Sequence, residues 1–188
     1  MIGITVVSGL PYYFSKEKEG TSVGGGISVV RDYKDAEFMI DGKKVKLTDG
    51  YSEEEGTPGS ASKIIMRYFG NELKTDLNND GREDVVFLIT QQSGGTGTFY
   101  YAVAALNTMN GYVGSDGYFL GDRIAPQTTE VSQNPRHKDV IVVNYAERYA
   151  TDPMTTPPSK NKSAYLKLDP DTMHWATVEP NFEGEANW

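Results

Sequence analysis

The chain reads as a mainly β protein, with room for one short helix, folded as a single domain of antiparallel sheets in a sandwich- or barrel-like arrangement. Three observations carry this expectation. Alternating or β-branched stretches punctuated by Gly, Pro, Asn and Asp recur along the whole sequence. The 20 glycines, 9 prolines and 12 tyrosines favour turns and pleated strands over long helices. At 188 residues the chain has the length of one domain and is long enough to bury roughly 70% of its unfolded surface in one core.

The expected strands, in order, are 4–8, 27–31, 37–40, 45–48, 63–69, 84–91, 98–106, 118–124, 140–145 and 164–168, with 174–178 as a further one. Asp41-Gly42 supplies the dipeptide of a tight hairpin turn, and Ser93-Gly94-Gly95-Thr96-Gly97 links two strongly apolar strands. Along the second of these, Phe99, Tyr101, Val103 and Ala105 alternate with Tyr100, Ala102, Ala104 and Leu106, so both faces are apolar and a central, two-sided position is expected. Between 60 and 69 two readings compete. Ser60 is placed to cap a helix, whereas Ile64, Ile65, Tyr68 and Phe69 suit a strand, and the strand is preferred. Residues 10–26 and 147–162, the latter with Pro153, Pro157 and Pro158, read as long loops. The division expected is a divergent N-terminal segment, 1–36, packed on a β-rich domain, 37–188.

A net charge of -8 and a pI near 4.8, with scattered Lys and Arg, argue against nucleic acid and anionic lipid as partners, since both demand a cationic patch. The absence of cysteine excludes disulfides, thiolate metal sites and a cysteine nucleophile. Apolar runs such as Val85-Val86-Phe87-Leu88-Ile89 are too short to span a bilayer as a helix. The residues after Met1 lack the basic and long apolar regions of a signal peptide.

The segment with chemical content is Asp76-Leu77-Asn78-Asn79-Asp80-Gly81-Arg82-Glu83-Asp84. Calcium takes six to eight oxygens at about 2.3 to 2.6 Å, and a short loop supplies them by turning alternate side chains inward. Asp76, Asn78 and Asp80 have that alternation, Gly81 permits the sharp turn, the Arg82 carbonyl is positioned to contribute, and Asp84 adds a carboxylate as the chain enters an apolar strand. Three carboxylates this close repel one another without a cation, which favours a calcium loop over a self-satisfied Asx turn. It is not an EF-hand: position 12 from Asp76 is Phe87, where that motif has a bidentate Glu. The spacing resembles the Asp-x-Asn-x-Asp-Gly-x-x-Asp loops of integrin-type propeller repeats, over about twelve residues.

A wider resemblance rests on Gly59-Ser60-Ala61-Ser62-Lys63, Arg67-Tyr68-Phe69-Gly70-Asn71-Glu72, the Asp76–Asp84 loop, Gly94-Gly95-Thr96-Gly97-Thr98-Phe99-Tyr100-Tyr101 and Leu120-Gly121-Asp122-Arg123-Ile124. It continues through Val142-Val143-Asn144-Tyr145-Ala146 and Asn181-Phe182-Glu183-Gly184-Glu185-Ala186-Asn187. From 37 onward the chain resembles a family of uncharacterised bacterial exported proteins and lipoproteins. That resemblance implies an extracytoplasmic location, secreted, periplasmic or at the cell surface, where calcium is abundant. It implies no activity and supplies no catalytic residues.

Other signals carry less. Ser60-Ala61-Ser62-Lys63 and Ser159-Lys160-Asn161-Lys162 match the Ser-x-x-Lys element of penicillin-recognising enzymes, but no Lys-Thr-Gly follows either. His137, expected to be exposed, and His174, expected to pack or lie on the surface, sit in no metal-ligand spacing. Gly94 to Gly97 lacks the ending of a phosphate-binding loop and reads as a hairpin turn, and Asp122-Arg123 reads as a structural ion pair. The expected function is a calcium-binding domain with a binding or assembly role, its partner another protein or a second copy. The alternative is a secreted hydrolase with acidic catalytic residues, and a cleft holding convergent carboxylates is what would favour it.

Overall fold

A computed structural model describes residues 29–59 and 61–180. A 3-10 turn, Tyr33–Asp35, comes first, capped by the Asp32 side chain, which accepts from the Lys34 N–H at 2.9 Å. It feeds a hairpin of β1 (Glu37–Ile40) and β2 (Lys43–Lys46). Asp41 and Gly42 turn it at φ of 50° and 74°, the left-handed pair that a two-residue hairpin needs.

The largest sheet orders β3 (Tyr51–Glu55), β4 (Lys63–Thr75), β5 (Asp84–Gln92), β6 (Phe99–Thr108) and β7 (Gly111–Gly114) as successive antiparallel neighbours. β8 (Tyr118–Asp122) pairs with the start of β6, beside the stretch that β7 occupies. A third sheet runs β12 (His174–Thr177), β11 (Lys160–Asp169), β10 (Val140–Glu147) and β9 (Ala125–Val131). The sheets stay open instead of closing into a barrel, so the sandwich form of the expectation holds, and no α-helix occurs among the described residues. No helix among them is long and apolar enough to cross a membrane.

Alternation along β5 and β6 builds three layers. Val86, Leu88, Ala102, Ala104 and Leu106 face the β9–β12 sheet, meeting Ile141, Val143, Leu166 and Leu168. Val85, Phe87, Ile89, Val103 and Ala105 face the other way, onto Phe38, Ile40, Val45 and Leu47 of the small hairpin and its flank. Phe87, fully buried, is ringed by Tyr33, Phe38 and Tyr68 at centroid distances of 5.5, 5.6 and 5.4 Å. Each such side chain contributes about 1.5–3 kcal/mol by leaving water, which makes the central sheet the energetic spine.

The small hairpin is also stitched to the strand connection after β7: Ser115 O accepts from Met39 N at 3.2 Å, and Met39 O accepts from Gly117 N at 2.8 Å. This requires close backbone approach. A Cβ on Gly114 would lie 2.3 Å from Glu37 O and 2.6 Å from Phe38 Cδ1.

The segment 63–69 is a strand, and it runs on to Thr75. Gly70 and Asn71, at φ of 110° and 55°, form an irregularity in its pairing with β5 and let the strand continue past what reads as a terminator. Strands β3, β7 and β9 were not expected, and β11 begins at Lys160, inside the second expected loop. The expected strand 4–8 lies outside the described residues, as do 27 and 28 of the expected strand 27–31; of its described residues 29–31, Val30 alone pairs, in a parallel bridge to Gly111.

Candidate functional site

The loop 76–83 joins β4 to β5, between the paired residues Thr75 and Asp84. Its shape comes from side chains gripping backbone. Asp76 accepts from Asp80 N at 3.1 Å and from Gly81 N at 2.8 Å. Asn78 Oδ1 also accepts from Asp80 N, at 3.1 Å, and Asp80 Oδ1 accepts from Arg82 N at 2.9 Å. Asn79 and Gly81 take φ of 60° and 82°, so Gly81 has the turn role expected of it.

Asp84 has a different environment. It is fully buried, its Oδ2 accepting from Leu77 N at 2.9 Å and its Oδ1 from Asn107 N at 2.8 Å. Burial, and then the nearby charges of Asp80 and Asp76, outweigh these two hydrogen bonds and push its carboxyl above the usual aspartate value. Asp84 therefore clamps the loop onto the end of β6 while facing the other two carboxylates.

Arg82 does more than its carbonyl promised. Its guanidinium pairs with the Asp80 carboxylate and donates through Nε to Asn107 O at 2.5 Å. Among the described residues no three His, Cys, Asp or Glu side chains converge as a ready metal cage. A guanidinium instead supplies the positive charge that the acidic loop needs. The donor set nevertheless fits calcium chemically. Asp76, Asn78, Asp80 and Asp84 offer hard oxygens, each carboxylate oxygen has two lone pairs, and on Asp76, Asp84 and Asp80 Oδ1 a single N–H takes one of them.

Of the remaining motifs, Ser60 lies outside the described residues, and Lys63 pairs with Glu53, whose hydrogen bond raises its pKa, the wrong direction for a lysine base. Lys160 pairs with Glu147 at 3.0 Å. His137 is half-buried, not exposed: its Nδ1 meets Ser132 Oγ at 2.6 Å and its Nε2 meets Glu179 O at 3.1 Å, fixing the turn between β9 and β10. His174 lies on the surface and pairs with Asp116, whose carbonyl accepts from Trp175 Nε1 at 2.9 Å. Asp122 pairs with Arg123 and accepts from Thr98 N at 2.9 Å, securing the β5–β6 connection as a structural ion pair does.

Sequence reasoning missed a groove at the far end of β5. Asp41 and Gln91 form a wall shared by its two lobes. The Asp41-Gly42 dipeptide signals only a turn, and no periodicity signals that this turn overhangs the central sheet. No family model, curated protein or solved structure matches the chain.

Proposed function

We propose that the protein is an extracytoplasmic calcium-binding β-domain with a binding or assembly role. The observation that carries this reading is the loop, in which Asp76 gathers the N–H groups of Asp80 and Gly81 and so holds the oxygens of Asp76, Asn78 and Asp80 along one short turn. Calcium binds there through Asp76, Asn78, Asp80, the Arg82 carbonyl and Asp84, displacing the Arg82 guanidinium from Asp80. The bacterial exported family that the sequence resembles supports the location, where extracellular-type sites with Kd of about 10⁻⁴ to 10⁻³ M are filled.

Calorimetric titration tests it. The parent binds calcium, Asp80→Ala does not, and Arg82→Ala binds more tightly because it keeps the carbonyl and loses the competing cation. No heat of binding in the parent, or weaker binding in Arg82→Ala, rejects the reading. The alternative, a hydrolase with acidic residues, has one observation in its favour: Asp41 and Glu54 line the same lobe of the groove. Release of reducing ends from a polysaccharide, lost in Glu54→Gln, would select it.

A further inference from the structure

From the groove beside the Asp41–Gly42 turn we infer a binding site for a neutral oligosaccharide. The inference specifies the ligand class for the binding role proposed above, and it uses residues remote from the calcium loop. β5 carries Asp84 at one end and Gln91 at the other, seven residues apart. At about 3.4 Å per residue the two sites stand roughly 24 Å apart, so calcium does not touch the groove.

The two lobes differ in chemistry. The first has an apolar floor of Ile40, Val45, Ile64 and Met66, with Lys43, Ser52 and Glu54 at its rim. The second is aromatic: Phe119 stands between Phe99 and Tyr101, at centroid distances of 6.3 and 5.4 Å. Phe119 is 52% exposed although it sits on a strand whose neighbour Leu120 is buried. An aromatic kept in water beside a concave surface presents a flat, electron-rich face, and the polarised C–H groups on one side of a pyranose ring fit such a face.

The polar groups match a polyol. Tyr101 donates its hydroxyl to Asp41 Oδ2 at 2.7 Å, which fixes that carboxylate as an acceptor at the junction of the lobes. The half-buried Gln91 amide beside it makes no hydrogen bond among the described residues, leaving donors and an acceptor aimed at the groove. Carboxylate and amide together accept from and donate to ring hydroxyls. Charge selects the class further. With Asp41 and Glu54 against Lys43, in a chain of net charge -8, the groove repels sulfated or acidic glycans, while Lys43 and the neutral Ser52 and Gln91 make it a poor match for a strongly basic peptide. Asp41 and Gln91 line both lobes, and that shared wall calls for a chain of sugars spanning the two.

The experiment titrates the whole protein with cellohexaose, mannohexaose and chitohexaose, by calorimetry and by following ring resonances, with a sulfated oligosaccharide and a lysine-rich peptide as competitors. At least one neutral oligosaccharide binds. Phe119→Ala, at an exposed position, weakens it by about tenfold with an unchanged melting temperature, as expected for the loss of one aromatic contact. Gln91→Ala weakens it as well. The inference is overturned if none of the three binds, if both variants bind as the parent does, or if only the sulfated glycan or the basic peptide occupies the site. Titrations in calcium and in chelator separate the two readings. Loss of saccharide binding in both leaves the calcium site to its own calorimetry, and a missing calcium site leaves saccharide binding in chelator intact.

Discussion

Asp84 shows what a residue type in a loop motif does and does not disclose. Its spacing from Asp76 and Asp80 makes it an acidic member of a candidate calcium loop, and the segment does form the connection from β4 to β5. That it is fully buried, with Leu77 N and Asn107 N on its two oxygens, depends on the end of β6, 23 positions further on, and was not legible locally. The same holds for the Arg82 side chain, which reaches that strand end through Asn107 O. Burial and hydrogen bonding set the expected mutational effects. Asp84→Ala strips two backbone donors of their partner, and unsatisfied buried groups cost about 1–3 kcal/mol each, so a loss of roughly 2–6 kcal/mol is expected in urea unfolding without calcium. Asp84→Asn keeps one acceptor and loses less. Asp80→Ala, whose carboxylate lies at the surface, changes calcium-free stability little. Equal stability of Asp84→Ala and the parent would show that the clamp is not holding the loop.

At the level of elements, the strands that declare themselves are those buried on one or both faces, namely β1, β5, β6 and β10, because burial writes period-two or continuous apolar runs into the sequence. β3, with Tyr51-Ser52-Glu53-Glu54-Glu55, has no such run. It is an edge strand, formed by pairing to β4 and protected from further pairing by its charges. β7 was hidden by its glycines, yet Gly114 is there because β1 leaves no room for a Cβ. Gly114→Ala should therefore cost about 1–3 kcal/mol by forcing the small hairpin off the central sheet, read as a lower urea midpoint. A neutral result would mean that β7 and β1 can part freely. The 3-10 turn is held differently. Tyr33 and Tyr68, the latter at 2.5 Å, both donate to Glu72 of β4. Burial, then that carboxylate, pushes the Tyr68 hydroxyl up to about 12 and Tyr33 up as well. Because the folded values are raised, this stability is complete below the ordinary tyrosine value of about 10 and is lost as pH climbs toward 12. In Glu72→Gln the anion is gone, so tyrosinate absorbance should rise at lower pH and alkaline unfolding begin earlier. Superimposable alkaline titrations of the two proteins would remove Glu72 from the account.

Across the whole molecule, the candidate calcium loop joins β4 to β5, and β5 lies in the sheet whose two faces build both halves of the core. A ligand that fastens this turn acts on the cooperative unit and not on a peripheral flap. Binding only to the native state adds RT ln(1 + [L]/Kd). With Kd of about 10⁻⁴ to 10⁻³ M, about 1 mM calcium contributes roughly 0.4 to 1.4 kcal/mol. At about 2 to 4 °C per kcal/mol for a domain of this size, the melting temperature should rise by roughly 1 to 6 °C over its value in chelator. Asp80→Ala should melt at one temperature in both conditions, since its loop has lost a ligand while its core is untouched. Arg82→Ala should start lower in chelator, where the guanidinium no longer offsets the carboxylates, and gain more than the parent on adding calcium. Magnesium, which demands near-octahedral geometry at shorter distances, should reproduce little of the shift. The order of calcium-induced gains, Arg82→Ala above parent above Asp80→Ala, is the signature of a cation competing with a guanidinium for one carboxylate. If all three proteins melt alike with and without calcium, the loop is a hydrogen-bonded turn in which Arg82 is the cation that Asp80 meets.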